Sequence, residues 1–168
     1  DGFPWDVALT PGLQTVVVGE LHSPVDFGAG NLVPDAIDAF AIQLGQDGSY
    51  QQSIWWGEGG DDRANAVAVD DEGSIIIGGS FEDTIAFSQD MACTAAIGRD
   101  GFVVKLDHEW VPIWVRCLGG SGDQDVTDVA IDDLGRVVVA GAFTETIELD
   151  VTHTSNGGKD LFVAVLAP

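Results

Sequence analysis

Positive charge is what this chain has least of. Its 168 residues hold 6 Lys and Arg against 28 Asp and Glu, a formal net charge of −22. Binding to a phosphate backbone or an anionic membrane runs through Lys and Arg that neutralise fixed negative charge, so neither nucleic acid nor a membrane surface is an expected partner. A cation, a basic protein or a salty medium suits such a surface better. Long apolar runs are also missing: nothing approaches the ~18 residues of a membrane helix, so no membrane insertion is expected. No basic n-region leads into an apolar h-region. Asp1 in place of an initiator Met is the expected result of something upstream having been removed.

Catalytic signatures are scarce in the same way. There is no P-loop and no complete G-x-G-x-x-G. The stretch GGSGD (119–123) ends on Asp123 where a nucleophile elbow needs Gly. Asp26-Phe27-Gly28 stands without any other kinase element. His22, His108 and His153 are dispersed, which makes them surface histidines by default. Cofactors are therefore not expected, Ca²⁺ aside.

What is present is repetition. Residues 125–143 read DVTDVAIDDLGRVVVAGAF, and residues 63–81 read RANAVAVDDEGSIIIGGSF. A looser copy at the start of the chain places Val7-Ala8-Leu9 opposite Val67-Ala68-Val69 and puts Gly19, Gly79 and Gly141 in register. A second block aligns Asp38, Phe40 and Leu44 with Asp100, Phe102 and Leu106, then with Asp160, Phe162 and Leu166. A period near ~60 residues means one supersecondary unit used three times.

Each unit reads as four strands. In the middle copy these are AVAVD (66–70), SIIIGGSF (74–81), GFVVKLD (101–107) and PIWVRCLGG (112–120), punctuated by Gly- and Asp-rich turns. The isoleucine run is too apolar for a wet face and belongs to a strand covered on both sides. DAIDAFAIQL (35–44) taken alone places Ala36, Ile37, Phe40, Ala41 and Leu44 on one helical face. Its counterparts GRDGFVVKLD and GGKDLFVAVL are β-rich, so it is assigned to a strand.

The fold class expected is all-β: β-propeller blades of four antiparallel strands, blade 1 at about 5–63, blade 2 at about 64–125 and a partial blade 3 at about 126–168 that lacks its fourth strand. DVAIDDLGRVVVAGAF, GGKDLFVAVL and LGGSGDQD resemble the bacterial β-propeller repeat family labelled SBBP, over essentially the whole chain. PVDFGAG (24–30) is similar to a variant of that family with a VDFG element, associated with secreted proteins of myxobacteria-like organisms. The resemblance implies the fold and an extracellular, cell-surface or periplasmic location, and carries no catalytic residues. Under three blades cannot close a ring. The expectation is either a longer parent chain or a homo-oligomer or filament in which copies complete one another at open edges.

The candidate sites are acidic. GEGGDDR (57–63) and GGSGDQD (119–125) connect successive units, and Asp61, Asp62, Asp123 and Asp125 could form a Ca²⁺-binding face. They are expected beside long second-to-third-strand loops at 22–36, 82–99 and 144–158. The turns with Asp70-Asp71 and Asp132-Asp133 could also hold Ca²⁺, although Asp and Gly are what a tight hairpin wants. Cys93 and Cys117, the only cysteines, have no counterparts in the other copies and fall in the same one. That coincidence favours a disulfide over two buried thiols, and two thiolates are too few for zinc. The five tryptophans are expected to fill space between blades rather than to offer sugar platforms.

The leading functional expectation is a non-catalytic scaffold or binding module engaging protein, polysaccharide or itself. The alternatives are a propeller-type polysaccharide hydrolase or lyase using paired carboxylates, and a Ca²⁺-dependent adhesion module. Salt adaptation would explain the charge with no ligand at all.

Overall fold

The computed structural model describes residues 1–28 and 30–166; Ala29 of PVDFGAG, and Ala167 and Pro168 at the end of LFVAVLAP, lie outside the described residues. Thirteen strands and no helix occur among the described residues. They are β1 (Gly2–Leu9), β2 (Thr15–Leu21), β3 (Val25–Asp26), β4 (Asn31–Leu32), β5 (Asp38–Leu44), β6 (Tyr50–Trp56), β7 (Arg63–Val69), β8 (Ile75–Ser88), β9 (Met91–Leu106), β10 (Pro112–Leu118), β11 (Gln124–Ile131), β12 (Val137–Glu148) and β13 (Thr152–Leu166).

Three antiparallel sheets follow the three repeats: β1-β2-β5-β6, then β7-β8-β9-β10, then β11-β12-β13, with no fourth strand among the described residues. The segment 35–44 is strand β5 from Asp38 on, as its repeat partners require. Each first strand carries a bulge at the same place, between Pro4 and Asp6, Ala64 and Ala66, and Val126 and Asp128. Equivalent irregularities in all three copies mark the bulge as part of the unit.

The sheets stack face to face. Val16, Val18, Ala39, Ala41 and Trp56 of the first sheet bury Ile77, Phe81, Phe102, Val104 and Leu106 of the second. On its other side, Ala66, Ile76, Val103 and Leu118 meet Val129, Val139, Phe143 and Phe162 of the third. Ile75, Ile76 and Ile77 are consequently all buried, consecutive side chains supplying opposite faces of the middle sheet. First strands lie against first strands, β1 on β7 and β7 on β11.

The expected long loops at 82–99 and 144–158 are not loops. Strands β8 and β9, and β12 and β13, continue past the body of their sheets as paired hairpin arms, with register shifts at Glu82/Thr84 and Thr144/Thr146. Alternation explains it: Ile85, Phe87 and Cys93 point inward between small or polar neighbours (Thr84, Ala86, Ser88, Ala92 and Thr94) and join the core with Trp56. In the first unit the same region forms only the short β3–β4 pair. The third sheet's arm is hydrogen-bonded to the connector before it, Thr144 N donating to Asp123 O (2.8 Å) and Glu148 N to Gly119 O (2.8 Å).

Cys93 and Cys117 form a disulfide that ties the middle arm to β10. Closing a loop of 24 residues in the chain is worth about 3 kcal/mol in the chain-entropy account. The C93S/C117S variant should lose about that much in urea unfolding. An unchanged midpoint would show that Phe87 and Ile85 alone hold the arm.

Candidate functional site

Polar side chains gather where the first strands begin. The bulged residues Trp5, Asn65 and Thr127 stand out of register on β1, β7 and β11. With Glu20, Arg63, Ser80, Arg99 and Asp125 they line a cavity of about 610 Å³. Trp5 is 55% exposed there, and Asn65 is fixed by donating its Nδ2 to the carbonyl of Val126 at 2.8 Å.

Half of the chain's cations serve this rim. Arg63 donates through Nε to Glu20 and lies 3.2 Å from Asp61. Glu20 is buried and also meets His22 at 2.7 Å. Arg99 bridges Glu82 (3.3 Å) and Asp125 (3.6 Å), and Lys159 meets the other oxygen of Asp125 at 2.9 Å. Each carboxylate thus has a cation and each cation is held in place, while Arg99 Nε is a buried donor with no partner.

A second cluster sits inside the junction between the first two sheets. Asp38, at the start of β5, is 2% exposed, and Asp62, just before β7, is fully buried. Asp38 Oδ1 and Asp62 Oδ2 both close on Gly57, where an added Cβ would stand 2.4 and 2.6 Å from them. Neither oxygen of Asp62 has a close hydrogen-bond partner, although the nearby backbone N–H of Glu82 favours its ionised form. Burial, then the charge of Asp38, push the Asp62 carboxyl up to about 8. Burial, then Asp35, push Asp38 up to about 6. The next junction repeats the design with a neutral partner: Asp100, raised to about 6 by burial, faces Gly119, and Gln124 takes the place of Asp62. Gln124 Nε2 donates to the carbonyls of Ser121 (2.9 Å) and Thr146 (2.8 Å). Asp38 and Asp62 are the chain's paired carboxyls with separated affinities for a proton, but both are sealed from any substrate.

The expected acidic face is divided among other tasks. Asp61 serves Arg63, Asp62 turns inward, Asp123 accepts from Arg99 N (3.2 Å) and Asp125 serves Arg99 and Lys159. Asp70 Oδ1 accepts from Glu72 N and Ser74 N, and its other oxygen lies 3.3 Å from Lys105. Asp132 does the same with Leu134 N, Arg136 N and the Arg136 guanidinium. The backbone N–H of Ser74, ahead of Lys105, and of Arg136 hold these two carboxyls below the usual range against the opposing effect of burial. These are Asx turns closing hairpins. Asp71 and Asp133 are exposed beside them. Among the described residues no three acidic, His or Cys side chains converge as a metal ion would need. The histidines have separate surroundings: His22 on Phe3 and Glu20, His108 by Gly73, His153 opposite Ile147.

Trp56 and Trp110 fill the core between the first two sheets, and Trp114 packs against the second core. Trp5 and Trp55 depart from that expectation and are exposed.

No protein-family model matches this sequence, and no curated protein matches it. The site rests on its own geometry.

Apart from Asp61 and Asp125, expected as part of an acidic face, the rim was missed as a site from the sequence, as was the buried Asp38. The available signal was divergence within the repeat: Trp5, Asn65 and Thr127 share one position, Glu20, Ser80 and Ala142 another, and Phe3, Arg63 and Asp125 a third.

Proposed function

We propose that the chain is a run of β-propeller-type repeats acting as a non-catalytic scaffold outside the cytoplasm, extended head to tail by further copies of itself. The observation that carries this reading is the match between its two end faces. On the front of the first sheet, Val17, Leu21, Phe40, Ile42 and Leu44, with Val25 and Phe27, line an apolar trough of about 320 Å³, whose floor of Leu21, Phe40 and Ile42 is already buried with Leu32 beneath the β3–β4 pair. Their counterparts in the second sheet, from Ile77 to Leu106, are the residues buried by the sheet before. On the back of the third sheet, Leu161, Val163 and Val165 are 80%, 63% and 55% exposed. In the sheet before it, Val103, the counterpart of Val163, is buried against its successor. A further sheet, in a longer parent chain or in another copy, would repeat the face pairing that joins the sheets twice here, provided that the β3–β4 pair gives way to it; between copies this is a heterologous contact that closes a ring or grows a filament. The unpaired edge of β13 offers a strand position beside it. The disulfide suits an oxidising compartment.

Burying such side chains is worth roughly 1.5–3 kcal/mol each, against the repulsion of like-charged chains. Light scattering should give masses above the 17.6 kDa monomer, increasing with protein concentration and with salt. The L161K/V163K variant should be monomeric with an unchanged circular dichroism spectrum. A wild-type monomer at every concentration and salt level would overturn the proposal.

A further inference from the structure

We infer that the rim cavity around Trp5 binds a neutral carbohydrate, one sugar ring stacked on the indole and its hydroxyls met by the polar side chains around it. This does not depend on head-to-tail assembly.

The first support is where the repeat stops repeating. The framework positions keep one chemistry: Gly19, Gly79 and Gly141, or Phe40, Phe102 and Phe162. The rim positions do not. Trp5, Asn65 and Thr127 occupy the same bulge, and Ile37, Arg99 and Lys159 the same place just before Asp38, Asp100 and Asp160. A purely structural position would tolerate the same residue each time, as the core does. Different side chains projecting from equivalent points make one composite surface out of three copies, carried by a rigid scaffold.

The second support is the chemistry of that surface. A half-exposed indole standing on a bulge is of no use to the core, and its flat apolar face suits the C–H face of a pyranose. Around it stand donors and acceptors already held in position: the Asn65 amide on the Val126 carbonyl, Arg63 on Glu20, Arg99 on Glu82 and Asp125, and the Thr127 hydroxyl on the Ala140 carbonyl. A cavity of about 610 Å³ lies within the usual range for small-ligand sites.

Charge decides the class of sugar. Glu20, Asp61, Glu82 and Asp125 slightly outnumber Arg63, Arg99 and Lys159, and all seven are paired with one another. An anionic ligand would have to displace these carboxylates in a chain of net charge −22. A cation would have to displace the arginines. An uncharged polyhydroxylated ligand needs neither, because it can add hydrogen bonds to groups whose charges are already matched.

The test is titration of the folded chain with neutral hexasaccharides (cellohexaose, laminarihexaose, mannohexaose and hexa-N-acetylchitohexaose) and with an oligogalacturonate, followed by tryptophan fluorescence and calorimetry. At least one neutral hexamer should bind saturably, with a dissociation constant no weaker than about 1 mM. Trp5→Ala should weaken that binding by at least ~10-fold, Trp5→Phe should retain part of it, and Trp55→Ala, on the far strand of the same sheet, should leave it unchanged. Unchanged circular dichroism in all three keeps the comparison valid. Absence of binding by every neutral hexamer at about 5 mM, wild-type binding by Trp5→Ala, or tighter binding of the oligogalacturonate would each overturn the inference. A monomeric mass would remove the assembly proposal and leave this titration untouched.

Discussion

At pH 8 the Asp62→Asn variant should be more stable to urea than the wild-type protein, by up to about 5 kcal/mol, whereas at pH 4 the two should nearly coincide. The cause is a carboxyl with nowhere to put its charge. Asp62 is fully buried beside Asp38, and burial followed by the charge of Asp38 raises its pKa to about 8. In the unfolded chain an ordinary aspartate ionises near ~4. Below that value both states hold the proton and the group has no effect on folding. Between about 4 and 8 the unfolded chain ionises freely while the folded one must keep the proton, so stability falls as pH rises through this window and levels off above it. Asparagine removes the proton from the account and can donate its amide to Asp38. Asp70 and Asp132, whose pKa values are lowered, work in the opposite direction and favour the folded state once pH exceeds their unfolded value. They are common to both proteins and cancel in the comparison. Equal slopes of stability against pH for wild type and variant would sink the account.

Gly79→Ala should be the most damaging single methyl in the molecule, costing on the order of 4 kcal/mol or leaving the chain unfolded. Gly79 lies opposite the bulge of β7, where a Cβ would stand 1.9 Å from the carbonyl oxygen of Arg63 and 2.8 Å from the ring of Phe102. The oxygen belongs to backbone and cannot swing away. Gly19 and Gly141 face the same obstacle at 2.0 and 2.2 Å, from Phe3 and Asp125. Gly12→Ala, whose Cβ would meet nothing closer than 3.7 Å, is the control and should stay within about 0.5 kcal/mol of wild type. Comparable melting temperatures for the two variants would refute the packing argument.

The register of the three units could be read from the sequence because the core of each repeats, glycine against bulge and phenylalanine against glycine. The same reasoning placed residues 35–44 in a strand despite their helical spacing, as they are from Asp38 on, and brought Cys93 to Cys117. The arms were hidden because their inward residues are few and separated by Asp, Gln and Thr, a pattern that local composition presents as loop. Asp62 was hidden for a different reason. It adjoins Asp61, which meets Arg63 at the surface, and nothing local distinguishes the carboxyl that turns inward. Trp5 looked like core because tryptophans on strands usually are; only the bulge lifts it out.

The arms have a consequence for how the chain is made. The cover over each junction is supplied by the later unit: Ile85 and Phe87 of the second reach Trp56 of the first, and Thr144 and Glu148 of the third pair with the connector behind them. As the chain emerges from the ribosome, each unit therefore waits for its successor before its trailing face is shielded. Completion travels in one direction, toward the C-terminus, and the most recent unit is always the one left uncovered.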